Sequence, residues 1–498
     1  MNIDIFSSII SILNFDYLLM LLLGVLAGII IGALPGFSAT MGVALLVPFT
    51  YSLSADSSFA LLIGVYCSAI YAGSIPAILI NTPGTPASVV TTIDGFKMAK
   101  KGQAGKALGI SLYSSVFGGI FSAIILIFSS EFVAKAALKF APQEYFSLGI
   151  FGLTMVFSMT EGSLLKALIM TVLGLALSVV GMDVMQGFPR FTFGIDNLLS
   201  GAPLLPIMIG LFAITEVLTN VEDSTNVVPI KQKIDNILNS YKYLFNHLWL
   251  AIKASIIGTF MGALPGIGSS IAAYIAYNEA SRTSKKIITA DESMEKGIVA
   301  PEVANNAVTG GAMIPMLALG IPGDSVTAIM IGALLIHGLR PGPQLFVEQK
   351  IFVNGIFISM VLANVLILIF GLIGVRIFAK IINIPRSILN VFVIFFSLVG
   401  AYALQNSMFD VNICLIFGII GFFFRRQKFP MGPFILSIIL GPLIEQNFLM
   451  ALSFSRGKIS TFFTRPISSI FLILSLIIII ISVYKEIMSG MSKKEKII

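Results

Sequence analysis

Four short stretches carry most of the polar chemistry of an otherwise apolar chain. "GALPGFSAT" begins at Gly32 and "GALPGIGSS" at Gly262, and each Pro-Gly break is followed by small or hydroxylated residues: Gly36, Ser38 and Thr40 in the first, Gly266, Gly268, Ser269 and Ser270 in the second. "NTPGTP" supplies Asn81, Thr82, Gly84 and Thr85, and "GIPGDS" supplies Gly323, Asp324 and Ser325. Proline removes a helix N–H, and the adjacent glycine admits backbone angles closed to other residues. A half-helix that starts after such a break points bare N–H groups and the positive end of its dipole at whatever lies in front of it. With hydroxyl donors beside them, those groups hold a carboxylate without a fixed Arg or Lys. An organic anion is therefore the expected ligand. The competing reading is that Gly, Ser and Thr simply let helices pack closely in a membrane.

The elements that position these stretches follow from composition. Of 498 residues, 57% are hydrophobic and 11% charged, with mean hydropathy +0.98, whereas soluble domains carry about 25% charged residues. Apolar runs at 17–34, 59–80, 109–129, 163–181, 247–264, 352–375, 387–402 and 463–484 are each close to the roughly 20 residues of a spanning helix. They are continuous and do not alternate, which favours helices over a barrel. The expectation is an all-α polytopic membrane protein of about ten to twelve transmembrane helices, some broken or re-entrant. The first Lys or Arg is Lys97, so the first span, and not a cleaved signal peptide, is expected to direct insertion.

The net charge of +7 does not indicate nucleic acid, because the basic residues sit in short loops and in the tail "KKEKII", as expected for cytoplasmic segments. Cys67 and Cys414 both lie inside apolar runs and are expected to be packing residues. No phosphate loop, no H-E-x-x-H and only two histidines are present, so neither a nucleotide-driven pump, nor an intramembrane enzyme, nor a metal site is indicated.

The breaks belong to an internal repeat. "SIPAILINTPGTP" (74–86) aligns with "MIPMLALGIPGDS" (313–325) at an offset of 239, Pro76 falling on Pro315, Pro83 on Pro322 and Gly84 on Gly323. The expected organisation is a first transmembrane repeat at 1–220, a polar linker at 221–246, a second repeat at 247–484 and a basic cytoplasmic tail at 485–498. Loop charge predicts that the repeats are inverted. "YSLSADSS" has no Lys or Arg, while its counterpart "SRTSKKIITADESMEK" has four; the next pair of loops reverses the bias, with Lys97, Lys100, Lys101 and Lys106 against Arg340 and Lys350. Paired interruptions in two such halves point to a substrate site near the bilayer midplane.

Polar residues are unevenly shared between the halves. "PEVANNAVTGG" places Glu302 and Asn306, and Asn305 and Thr309, on shared helix faces, and Asp324 follows the second break directly. The aligned residues of the first half are Tyr66, Cys67 and Thr85. If a Na+ or H+ is coupled to transport, it is accordingly expected near Asn305, Asn306 and Asp324, although for Asp324 capping of the next half-helix is the first expectation. His337, Glu216, Glu445, Arg425 and Arg426 are expected at boundaries or in loops.

With these motifs in hand, the chain resembles the large membrane subunit of the tripartite tricarboxylate transporters, the TctA family. The most specific stretches are "GALPGFSATMGVALLVPFTY", "NTPGTPASVVTTIDGFKMAKKGQAGKALG" and "APEVANNAVTGGAMIPMLALGIPGDSVTAIMIGALLIHGLRPGPQLF". The resemblance implies a multi-pass permease of the bacterial cytoplasmic (inner) membrane that imports tri- or dicarboxylates. It implies two partners, a small four-helix membrane subunit and a periplasmic substrate-binding protein, and drive by an ion gradient. By resemblance the two GALPG segments, "NTPGTP" and "GIPGDS" form the substrate pocket. A passive organic-anion channel and the membrane subunit of an ATP-driven importer are the alternative functions.

Overall fold

The computed structural model describes residues 14–159, 163–183, 185–222, 237–283, 289–381 and 384–495. The first half opens with α1 (Phe15–Ala33), capped by the Asn14 side chain, and α2 (Ala39–Thr50), capped by Ser38, with the first GALPG break between them. Helices α3 (Ala55–Ala72) and α4 (Ser74–Ile80) run up to the NTPGTP break. A short 3-10 turn (Pro86–Ser88) then leads into α5 (Val89–Lys100). The long α6 (Ala104–Ala137), α7 (Pro142–Met159) and α8 (Leu164–Ser178) follow. A two-stranded hairpin, β1 (Gly181–Met182) and β2 (Pro189–Arg190), precedes α9 (Leu204–Glu222).

In the second half, α10 (Tyr241–Asn246) and α11 (Leu248–Ala263) lead to the second GALPG break and α12 (Gly268–Thr283). The 30-residue α13 (Ala290–Leu319) is buried along nearly its whole length and ends at the GIPGDS break, after which come α14 (Ser325–Ile336) and the short α15 (Leu345–Glu348). The chain closes with α16 (Lys350–Ile381), α17 (Arg386–Gln405), α18 (Met408–Arg426), α19 (Met431–Phe454), the short α20 (Thr461–Thr464) and α21 (Pro466–Glu495).

Among the described residues, nine helices are long and apolar enough to span a bilayer. A tenth is reached if the segments Leu238–Asn246 and Leu248–Ala263, bent by 83°, count as one. This is the lower edge of the expected ten to twelve, and the reason lies in the breaks: α2 and α14 are apolar but only 12 residues each, too short to cross alone. Residues 223–236 of the expected linker and 496–498 of the expected tail lie outside the described residues. The tail as far as Glu495 continues α21.

Helix packing rests on small residues. In α1, a Cβ added at Gly28 would fall 2.6 Å from the Val65 carbonyl oxygen, and one at Gly32 would fall 2.4 Å from that of Ala69, so α1 and α3 touch backbone to backbone. Between α11 and α13 the same contacts recur at Gly258 against Ala304 O (2.2 Å) and Gly262 against Val308 O (2.6 Å). Helices in lipid gain little from exchanging one apolar neighbour for another, so close approach of this kind is what holds them together. Helix α9 carries a π turn at Gly210–Ile214, and the Thr215 hydroxyl donates to the Gly210 carbonyl at 3.2 Å and to Gly418 O of α18 at 3.0 Å. That satisfies groups which lipid would leave unpaired. Cys67 and Cys414 are both buried and free.

Candidate functional site

Each of the four breaks ends on the N-terminus of a new helix. Gly36 and Gly266 both adopt φ near +80° (85° and 78°), the left-handed turn that lets the chain leave α1 or α11 and enter α2 or α12. Ser38 caps α2 by accepting from the Met41 N–H at 3.1 Å, and Thr40 lies in the first turn. Gly268, Ser269 and Ser270 form the first turn of α12. Thr85 and Asp324 occupy the cap positions of the Pro86–Ser88 turn and of α14, and Ser325 is the first residue of α14.

The two Pro-Gly breaks share one local geometry. The last residue before each is left-handed, Asn81 at φ 57° and Gly320 at φ 72°. The following N–H returns to a proline carbonyl, Thr82 to Pro76 O at 3.4 Å and Ile321 to Pro315 O at 3.2 Å. The chain then folds back along its own helix. A Cβ at Gly84 would meet Gly73 Cα at 2.8 Å and Gly32 O at 2.1 Å, and one at Gly323 would meet Ala312 Cα at 2.6 Å and Gly262 O at 2.3 Å. Each Pro-Gly break is thus seated on the end of the GALPG helix of its own half. In the second half a hydrogen bond, Gly266 N–H to Gly323 O at 2.9 Å, ties the two breaks directly.

Contacts between halves bring the pairs together. α14 packs on α2, and α12 packs on the Pro86–Ser88 turn and on α5, so each helix that follows one kind of break lies against the helix that follows the other kind in the opposite half. Thr85 is buried; Gly36, Ser38, Thr40, Thr82, Gly266, Gly268, Ser269, Ser270, Asp324 and Ser325 are half-buried; Asn81 is exposed. Partly open hydroxyls beside helix N-termini can bind an anion by N–H and O–H donation. By contrast, a cavity of about 510 Å³ between α1, α2 and α17 is lined by apolar side chains such as Leu34, Phe37, Met41 and Phe396 and by none of the predicted site residues.

Asp324 acts as a helix cap. Its Oδ1 accepts from the N–H and the hydroxyl of Thr327, each at 2.8 Å, and the Thr327 hydroxyl accepts in turn from the Asp324 N–H at 3.0 Å. Its other oxygen accepts from the Tyr66 hydroxyl of α3 at 2.6 Å, a bond across the two halves. The coupling-ion candidates are not joined to one another by hydrogen bonds. Asn306 donates to the Glu302 carbonyl at 3.0 Å, and neither side-chain atom of the buried Asn305 has a partner.

Sequence reasoning did not single out Tyr66, Ser88 or Thr327 as part of the site. Ser88 and Thr327 also stand 239 apart, and the Ser88 hydroxyl lies 2.8 Å from that of Thr85 as the Thr327 hydroxyl lies 2.8 Å from Asp324 Oδ1, so extending the repeat by two residues would have found them. Thr91 was missed as well; it donates from α5 to the Glu302 carboxylate, and nothing in its local sequence signals that. His337 follows the last residue of α14 and Arg425 lies in the last turn of α18, but the partners Glu216 and Glu445 (the latter 2.5 Å from Arg190 of β2) sit inside α9 and α19 and not at the expected boundaries.

The fold is that of a multi-pass helical membrane protein whose helices are broken in matching pairs, the elements after the breaks packing across the two halves. Residues 18–436 match the tripartite tricarboxylate transporter TctA family, and the chain belongs to that family, whose members are membrane components of tripartite systems. Such a system also comprises a periplasmic binding protein and a small membrane subunit. The chain is 35% identical over 470 residues to an uncharacterized 52.8 kDa protein in the TAR-I ttuC' 3' region of Agrobacterium vitis, covering 94% of each chain. It is 33% identical over 232 residues to an uncharacterized protein in the TAR-II ttuC' 3' region of the same organism, covering 47% of this chain and 96% of the relative. No solved structure matches.

Proposed function

We propose that this chain is the permease subunit of a binding-protein-dependent secondary transporter that imports tri- or dicarboxylates across the bacterial inner membrane. The observation that supports this reading is that the elements after the breaks pack across the halves, α2 on α14 and α12 on the Pro86–Ser88 turn, each starting with Ser, Thr or Asp at its cap or in its first turn. The substrate's carboxylates take the N–H groups and hydroxyls at these helix starts as donors. Transport proceeds by alternating access of the two halves around this site, driven by Na+ or H+.

Side-chain ties support an inverted arrangement of the halves. The end of α5 meets the start of α13 through Lys101 and Asp291 (3.0 Å), and the start of α6 meets α13 through Lys106 and Glu295 (2.7 Å). In the second half, Lys253 of α11 reaches Glu279 of α12 at 3.2 Å, which brings the open end of that hairpin to the same face. In the first half, Tyr17 at the start of α1 bonds Gly355 O and Ser359 at the start of α16 (2.7 and 2.5 Å), on the face that α16 leaves as it runs toward Arg376 and Lys380. The lysine-rich face is the cytoplasmic one under the positive-inside rule.

The test is reconstitution of the chain with its small membrane subunit and binding protein in proteoliposomes. Uphill accumulation of a carboxylate under an imposed ion gradient, without ATP, is the expected result. Equilibration without accumulation would identify a passive channel, and a requirement for ATP would identify a primary importer.

A further inference from the structure

Glu302 sits in the middle of α13 with 0% of its surface exposed, and among the described residues no Lys, Arg or His forms an ion pair with it. Its carboxylate accepts instead from two hydroxyls, Thr91 of α5 and Ser115 of α6, the latter at 3.0 Å. Both are buried, and Ser111, whose hydroxyl donates to Ser74 at 2.7 Å, is a third hydroxyl neighbour. The other titratable groups on the surrounding helices are engaged elsewhere or neutral. Tyr71, Tyr66 and Cys67 lie on α3; Asp94 of α5 accepts from Tyr277 of α12 at 3.0 Å and pairs with Lys97; Lys106 of α6 pairs with Glu295; Lys253 of α11 pairs with Glu279 of α12. A buried carboxylate without a countercharge is costly, and a proton removes that cost.

The choice of partners fits a group that changes protonation state. A hydroxyl can donate or accept, so when Glu302 gains a proton and becomes a donor, Thr91 or Ser115 can rotate to receive it; an ammonium, a guanidinium or a backbone N–H could not. The position also fits. Thr91 follows Thr85 by six residues, on the helix that leaves the first Pro-Gly break, while α13 runs directly into the second. The acid therefore links the helix after one break to the helix before the other. The aligned residue of the first half is Ile63, so the feature is not imposed by the repeat.

We propose that Glu302, held by Thr91 and Ser115, is the site that takes up and releases the coupling proton. This rests on the reading of the chain as an ion-driven permease. One proton from water adds to the carboxylate to form the neutral acid on the face where substrate enters, and the same O–H bond breaks to return it to water on the other face. The test has two arms. In proteoliposomes holding the full tripartite complex, with radiolabelled citrate as probe, an imposed pH gradient should drive accumulation by the wild type. Glu302→Gln should not respond to that gradient, and its citrate exchange should no longer vary with pH. Accumulation by the wild type under a sodium gradient alone, or an E302Q complex that still follows the pH gradient, overturns the proposal.

In the second arm, infrared spectroscopy of the purified chain follows a carboxylic-acid carbonyl band against pH. A titrating band that E302Q lacks supports the proposal, and its absence in the wild type overturns it. A wild type that accumulates citrate under no gradient would refute the permease reading, and the infrared arm still decides the proton site. Should E302Q fail to insert, Ser115→Ala should move the titration of the band to higher pH, because it deletes a donor to the charged form. An unmoved band overturns the assignment.

Discussion

The two Pro-Gly breaks are built alike and finished differently. In both, a left-handed residue, a returned N–H and a glycine pressed onto a GALPG helix set the same path. Yet where the first half has Tyr66 on α3 and Thr85 at the break, the second has Asn305 on α13 and Asp324 at the break, each pair of equivalents 239 apart. One of the two equivalent crossings between halves, Tyr66 to Asp324, is closed at 2.6 Å. In the other, Thr85 turns to Ser88 at 2.8 Å, and Asn305, only 1% exposed, leaves its amide N–H groups and its carbonyl without partners. A buried unsatisfied amide is expensive to keep. The difference teaches that backbone geometry is duplicated for shape while side chains diverge, one crossing being closed by a side-chain hydrogen bond and the other having none.

The strongest way to break this comparison is to attack what the halves share. In Gly84→Ala and in Gly323→Ala the new Cβ would sit 2.1 and 2.3 Å from carbonyl oxygens of Gly32 and Gly262, main-chain atoms that cannot rotate away. Overpacking of this kind costs about 1–3 kcal/mol or more. Both variants are expected to lose carboxylate uptake in proteoliposomes and to unfold at lower temperature in detergent, by similar amounts. Tolerance of one and not the other would mean that the two seats are not equivalent.

Next in size is the closed crossing. Tyr66→Phe keeps the ring and removes the donor to Asp324, a bond to an acidic group worth about 1.5–3 kcal/mol. Thr85→Ala removes only a hydroxyl pair with Ser88, worth about 0.5–1.5 kcal/mol. Denaturation of the two purified variants should therefore rank Tyr66→Phe as the more damaging. The reverse order would place the tie between halves on the Thr85 side.

The open crossing predicts stability and function moving in opposite directions. Asn305→Leu replaces an unpartnered buried amide with an apolar group of similar size, which should raise stability by about 1 kcal/mol, while carboxylate uptake falls at least tenfold if the amide serves a ligand (about 1.4 kcal/mol). A variant that is less stable and transports normally would show Asn305 to be a packing residue.

How much of this was legible from residues alone depends on whether the information is local. Pro76 and Pro315, Pro83 and Pro322, Gly84 and Gly323 announce the repeat, because helix breakers in apolar runs are too costly to occur in register by accident. The cap role of Asp324 was readable for the same reason, since capping depends on the next three residues. Tyr66 meeting Asp324 and Thr91 meeting Glu302 were not readable. Their separations of 258 and 211 residues are set by how helices pack, and no spacing rule reaches across that distance. The span count was blurred by α2 and α14, whose apolar 12 residues look like parts of full spans until the break is seen to fold back.

The shared turn itself can be tested by backbone strain. Asn81 and Gly320 hold the same left-handed position, and asparagine tolerates it better than any residue with a longer or branched side chain. Gly320→Ala should lower stability by about 1–2 kcal/mol through backbone strain alone, since its Cβ would meet nothing nearer than the Pro341 carbonyl oxygen at 3.2 Å. Gly320→Asn should recover most of that loss, and Asn81→Gly, at an exposed site, should be close to neutral. Thermal unfolding of the three variants reads the ordering directly. If Gly320→Asn is as damaging as Gly320→Ala, the contact with Pro341 and not the turn decides the residue, and the equivalence of the two breaks ends one residue earlier than the backbone angles indicate.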